Sequence, residues 1–177
     1  HDVVLPPKAF FMLNHWMKVA PAPVVSGLYF SRAYPSEPMV FRGMGEGVYT
    51  DWRMGDVVEV DGVPTGCLLI HMAVLRAMWE DSEEYTISGI KTRRVFDTPR
   101  SSWYNPETNM TNISTGTSDL AWCRRVLSEG YFRKSGWVDY ADKQYPFLID
   151  TNLFCYHCNP DGTMFPDRKT LSRWKGD

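Results

Sequence analysis

The 177-residue sequence predicts a mixed α/β fold, a sheet flanked by helices, built as a single domain. Two short, continuously apolar runs, "PVVSGLYF" (23–30) and "GCLLI" (66–70), are bounded by turn residues and read as buried neighbours in one sheet. The third observation is "SDLAWCRRVLSEG" (118–130), the clearest helix in the chain. Ser118 or Asp119 can cap it, Leu120, Cys123 and Leu127 recur along one face, and Gly130 stops it.

The remaining elements follow in order. "VVL" before two prolines reads as a strand end, with Pro6 and Pro7 opening a helix to about Met17, since proline is tolerated in a first helical turn. "RAYPSEP" is a loop by its prolines. "MVFR" and "VVEVDG" read as short strands around the glycine-rich "GMGEG". Cys67–Ile70 runs into a helix from about Met72 to Glu80, where Val74, Leu75 and Met78 recur at helical spacing. Residues 97–117 are polar with little periodicity and read as a long irregular loop, the most mobile part of the chain, of the kind that serves as a lid or binding loop. "YPFLIDTNLFCYH" reads as a strand, a break at Asp150 to Asn152, and a second strand. Residues 168–177 read as a polar, loosely packed tail.

Composition excludes several classes. The net charge of -2 supplies no footprint for a nucleic acid. No apolar run approaches the ~20 residues of a transmembrane segment. Four unevenly spaced cysteines do not make a disulfide scaffold, and a cytoplasmic setting is expected. The chain opens on "HDVVLPP", mid-strand, so an N-terminal portion of a larger unit is expected to precede it. The sequons at Asn109 and Asn112 are short enough to arise by chance.

"FCYHCNPDG" (154–162) holds the densest ligand chemistry. Structural zinc needs four ligands, usually as two pairs, and only Cys155, His157 and Cys158 cluster here. In a strand, residues 155 and 157 share one face while 158 faces the other. His157 alone, at a strand end before a turn, is the better candidate. His15 and His71 lie in or beside helical patterns without a nearby carboxylate and read as packing or surface residues. Asp119 can serve its helix terminus, yet it directly follows the long polar segment, where a substrate could reach it. Asp2 stands where a strand gives way to a helix, a usual place for ligand-binding carboxylates in α/β proteins. Aromatic residues make up 14%, and Trp52, Trp103 and Trp137 fall outside core patterns, where rings can stack on sugars or bases.

Taken in order, "HDVVLPP", "PVVSGLYFSRAYPSEPMVFR", "VPTGCLLI", "TSDLAWCRRVLSEGY" and "IDTNLFCYHCNPDG" resemble the C-terminal two-thirds of a GT-A fold glycosyltransferase of the family 2-like group. The resemblance covers roughly residues 1–162. It implies a partial GT-A fold and transfer of a sugar from a nucleotide-sugar donor to a glycan or other hydroxyl acceptor, metal-dependent and inverting. Asp2 would be the last carboxylate of the DxD motif, and with His157 would hold Mn²⁺ or Mg²⁺. Asp119 matches the second position of the acidic pair, the general base, while the first position departs to Ser118. Gly66 matches the small residue on the acceptor side, and Trp103 and Trp137 are candidates for stacking on donor or acceptor. Cys155 and Cys158 become packing neighbours. The nucleotide-binding part is expected to precede His1. Two alternatives compete: a non-catalytic glycan- or protein-binding module derived from a transferase, which the Ser118 departure favours, and a small zinc-stabilised domain.

Overall fold

The computed structural model describes residues 2–43 and 47–175, so the centre of "GMGEG" lies outside the described residues. In chain order the elements are β1 (Val3–Val4), α1 (Ala9–Lys18), β2 (Val24–Leu28), β3 (Val57–Val60), β4 (Leu68–Ile70), α2 (Met72–Asp81), β5 (Glu84–Ile87) and β6 (Ile90–Arg93). They continue with β7 (Arg100–Asn105), β8 (Met110–Thr115), α3 (Ser118–Ser128), α4 (Tyr131–Lys134), α5 (Val138–Ala141), β9 (Phe147–Phe154), β10 (Tyr156–Cys158), β11 (Met164–Phe165) and α6 (Arg168–Lys175).

A mixed four-stranded sheet in the order β3-β9-β2-β4 forms the centre. β2 pairs β9 in parallel and β4 antiparallel, so the two apolar runs are sheet neighbours, as their patterning predicts. Burial explains the order. Every residue of β2 and the first five of β9 are buried, as strands covered on both faces must be, whereas β3 alternates exposed and buried at the edge. One face of the sheet packs Val24, Leu28, Phe147 and Ile149 against Val74 and Met78 of α2, Trp122 and Val126 of α3, and Phe132 of α4. The other face packs Val25 and Leu148 against Leu13 and Trp16 of α1. The result is a sheet with helices on both faces.

A second, three-stranded sheet, β1-β10-β11, continues from the end of β9. The break expected at Asp150 to Asn152 is not an interruption, because β9 runs through it. The irregularity is in its pairing with β2, where Gly27 faces Asp150 and the next residue, Leu28, faces Phe154. Asp150 holds this bulge by accepting from the Asn152 amide at 3.0 Å and from Trp16 Nε1 at 3.0 Å. The bulge sets Leu153 over Gly27. A Cβ at Gly27 would lie 2.7 Å from the Leu153 carbonyl oxygen and 3.1 Å from Cys67 Sγ. Gly27→Ala is therefore expected to destabilise the fold by ~1–3 kcal/mol, the range for overpacking. A urea midpoint equal to that of the parent protein would show that the bulge yields freely.

Several expectations are corrected. Residues 97–117 are not an irregular loop: β7 and β8 form a regular six-pair antiparallel hairpin from Arg100↔Thr115 to Asn105↔Met110. Its turn holds Asn109 at φ 52°, a left-handed conformation that asparagine tolerates. "MVFR" forms only isolated bridges, Phe41↔Val48 and Phe41↔Gly62. The residue at the start of α3 is Thr117, without a side-chain bond, rather than Ser118 or Asp119, and the helix buries Trp122, Cys123 and Val126 rather than Leu120 and Leu127. The tail is a helix, α6, started by Asp167, whose Oδ1 accepts from the Thr170 amide at 2.7 Å. Its Trp174 stacks on Trp52 at 4.7 Å with the rings 10° apart, which places Trp52 in the core rather than in a free loop.

Candidate functional site

The antiparallel pairing Val3↔His157 and Val4↔Tyr156 brings the first residues of the chain beside β10. The Cys158 amide donates to the Asp2 carbonyl at 2.6 Å and fixes the backbone on which the Asp2 carboxylate stands. Asp2 Oδ2 lies 3.5 Å from His157 Nε2 and 3.6 Å from Arg32 Nη1. The His157 ring is aimed from behind: Nδ1 is 3.0 Å from the Phe30 carbonyl oxygen, so Nδ1–H donates there and Nε2 faces Asp2. Tyr29 packs edge-on against the same ring, with centroids 5.6 Å apart.

Tyr29 joins the other half of the site. Its hydroxyl accepts from the Gly66 amide at 2.8 Å. Gly66 has to be glycine, since a Cβ would meet Tyr29 Cζ at 2.6 Å and Val3 Cγ2 at 2.7 Å. Burial pushes the Tyr29 phenol well above the ordinary tyrosine range; the Gly66 amide acts downward, and the charges of Asp119 and Asp2 push up again. Asp119, in the first turn of α3, is half-buried, and its Oδ1 accepts from the Leu120 amide at 2.9 Å.

Asp2 titrates below its ordinary value. Its partial desolvation, the largest single influence, acts upward, but its own amide, the His157 bond and charge, and the Arg32 charge together outweigh it. A carboxyl with a depressed folded value contributes stability above the unfolded pKa and loses it as pH falls through the folded one. A carbon-13 titration of the Asp2 carboxyl is therefore expected to have its midpoint below the model-compound value of 3.8. A midpoint at or above it would mean that desolvation wins.

Asp2 and His157 together present one oxygen and one nitrogen donor to a divalent ion. Donor atoms 3.5 Å apart subtend roughly 105° at an ion ~2.2 Å from each, an angle an oxygen- and nitrogen-liganded cation accepts. With Nδ1 committed to the Phe30 carbonyl, Nε2 is the nitrogen that faces Asp2, a donor to the carboxylate when protonated and a ligand only once that proton is lost. The pair offers two donors, and any further ligands of an ion would be water or phosphate. Among the described residues no group of three or more His, Cys, Asp or Glu side chains is arranged to hold an ion. That removes the zinc cluster: Cys155 is buried beside Cys67 and Leu153, and Cys123 Sγ bonds the Val63 backbone.

The tryptophans divide. Trp103 is 51% exposed on the hairpin, whose base leads through Gly116 into α3 and Asp119. Trp137 is not at the site. It packs edge-on against His71 at 5.1 Å and lines a cleft with Pro21 and Tyr140, at the start of β2, whereas Tyr29 and Phe30 follow its end. His71 is the N-cap of α2, its Nδ1 accepting from the Ala73 amide at 3.2 Å. Sequence reasoning missed Tyr29 and Arg32 as site residues, one hidden in an apolar run and the other in a proline loop. No helix among the described residues is long and apolar enough to cross a membrane. No known protein family, no curated protein and no solved structure matches the chain.

Proposed function

We propose that this chain is a GT-A-like glycosyltransferase module that moves a sugar from a nucleotide-sugar donor to a hydroxyl acceptor, with inversion. The observation that carries this reading is the 3.5 Å approach of Asp2 and His157 from opposite ends of the chain. The β1–β10 pairing brings the two residues into range, and the reading gives their side chains a shared partner.

In this reading Asp2 Oδ2 and His157 Nε2 hold Mn²⁺ or Mg²⁺, and the Phe30 carbonyl keeps the imidazole in the ligating tautomer. The bound ion would neutralise charge on the departing diphosphate. Asp119 has one oxygen engaged by the Leu120 amide, and the other takes the acceptor's proton as general base. Tyr29 and Gly66 would line the space between these two groups. Trp103 offers a ring face for a sugar on the acceptor side.

The test uses the 177-residue chain with a panel of nucleotide-sugars and Mn²⁺, following release of nucleoside diphosphate and binding of the ion. Turnover, with ion binding abolished by Asp2→Asn and by His157→Ala, is the expected result. Absence of both turnover and Asp2-dependent ion binding would overturn it. One feature favours a non-catalytic glycan-binding module instead: Trp103 and Tyr104 are 51% and 60% exposed side by side on the hairpin. Glycan binding lost on Trp103→Ala, without turnover of any donor, would support that second reading.

A further inference from the structure

We infer that the cleft between the start of β2 and the turn from α4 into α5 is a separate binding site, built for a small trimethylammonium compound of the choline type. It lies at the opposite end of β2 from Tyr29 and Phe30, and it does not depend on the Asp2–His157 pair.

Three observations carry it. Pro21, Trp137, Asp139 and Tyr140 help to line a cleft of about 350 Å³, within the size range of small-molecule sites. Two of its walls are aromatic and stand almost at a right angle: the Trp137 and Tyr140 rings are inclined at 84°, with centroids 5.7 Å apart. Secondly, both rings are held in place. The Tyr140 hydroxyl donates to the Pro21 carbonyl at 3.2 Å, the Trp137 amide donates to the Phe132 carbonyl at 2.8 Å, and the indole meets the His71 ring edge-on at 5.1 Å. Thirdly, Asp139, in the first turn of α5, is the one charged residue among the described residues that line the cleft. Its carboxylate has neither a hydrogen bond nor an ion pair among the described residues.

These groups share one complement. The face of an aromatic ring is negative, so two perpendicular rings and a carboxylate together favour positive charge. A corner suits a compact, rounded cation touched on two sides, whereas a sugar needs a single open face to stack on. Methyl groups around the nitrogen leave it without N–H donors, so it asks for no acceptors that the rings would have to supply. The Tyr140 ring already accepts a cation, since Lys143 Nζ lies 4.8 Å from its centroid. That ammonium is bound to Glu59 Oε1 at 2.8 Å, which offsets its charge and leaves Asp139 uncompensated. Rings already fixed lose little freedom when a ligand enters. A ligand with its own carboxylate, such as a betaine, would set that group against Asp139, so the cleft selects choline over betaine.

The test titrates the full chain with choline, with betaine and with the neutral isostere of choline in which carbon replaces nitrogen. The indole N–H signal of Trp137 is followed by nuclear magnetic resonance, and its loss in Trp137→Phe assigns it. Choline is expected to shift that signal saturably and to bind about tenfold more tightly than the isostere, the gain a cation–π contact brings. Asp139 is exposed, so Asp139→Asn should keep the parent's melting transition while weakening choline about fivefold and leaving the isostere unchanged. Betaine should bind more weakly than choline. The inference is overturned if choline gives no saturable shift, or if the isostere or betaine binds as tightly as choline. It is equally overturned if Asp139→Asn keeps the parent's affinity for choline.

Discussion

Trp122→Ala is expected to destabilise the protein by ~3–5 kcal/mol, most of the stability of a domain at the low end of the usual range of ~5–15 kcal/mol. The indole is 1% exposed, stacked on Phe96 at 5.4 Å and leaning on Phe147 at 6.1 Å, where α3 meets the central sheet. Removing it leaves a cavity that neither β9 nor α3 can close without breaking its own hydrogen bonds. Trp122→Phe should cost far less, about 1–2 kcal/mol, for a reason beyond size. The indole Nε1 is buried with no hydrogen-bond acceptor among the described residues, so the phenyl ring also removes an unsatisfied donor. Urea denaturation of the two variants checks this. Equal losses would mean that the nitrogen matters more than the stacked surface.

Asp119→Asn is expected to lower sugar transfer by ~10²–10⁴-fold while leaving the fold nearly unchanged. The amide keeps an oxygen to accept from the Leu120 N–H, so the start of α3 persists. What disappears is the carboxylate able to take a proton, along with ~0.3–1 kcal/mol of interaction with the helix N-terminus. Activity and melting temperature are measured on the same preparation. Unchanged turnover would reduce Asp119 to a helix-terminus residue. A large fall in melting temperature would show that its role is structural.

The fold was legible where burial writes directly into the sequence. β2 and β4 are continuous apolar runs because the sheet is covered on both faces. α1 and α2 were placed to within one or two residues at most boundaries by Pro6, Pro7 and the spacing of Val74 and Met78. The hairpin at 100–115 was missed for the opposite reason. Every described residue of β7 except Asn105 is exposed, so the strand shows none of the alternation that one-sided burial imposes. Its β character rests on Trp103, Tyr104 and threonines, which composition alone reads as loop. α6 was missed because Trp174 and Leu171 are its only large apolar side chains, too few to display a period. At the site, Asp2, His157 and Asp119 stood out as single polar residues at element ends. Tyr29 and Arg32 did not, because their importance comes from the residues that β1, β10 and the 31–38 loop bring to them.

The position of β9 sets an order of events for the newborn chain. Residues 147–154 lie between strands contributed by residues 57–60 and 24–28. β2 and β4 can zip together as soon as residue 70 has emerged, but β3 has no neighbour in the sheet until some ninety further residues have left the ribosome. Throughout that interval the facing rims of β2 and β3 present unpaired amides and carbonyls beside apolar side chains, an invitation to pair with other molecules. Arrival of β9 closes both rims at once and carries Cys155, Tyr156 and His157 into register with the beginning of the chain. Assembly of the Asp2–His157 pair therefore reports that β9 has been threaded into place, and a chain stalled before Phe147 would have neither a finished central sheet nor that pair.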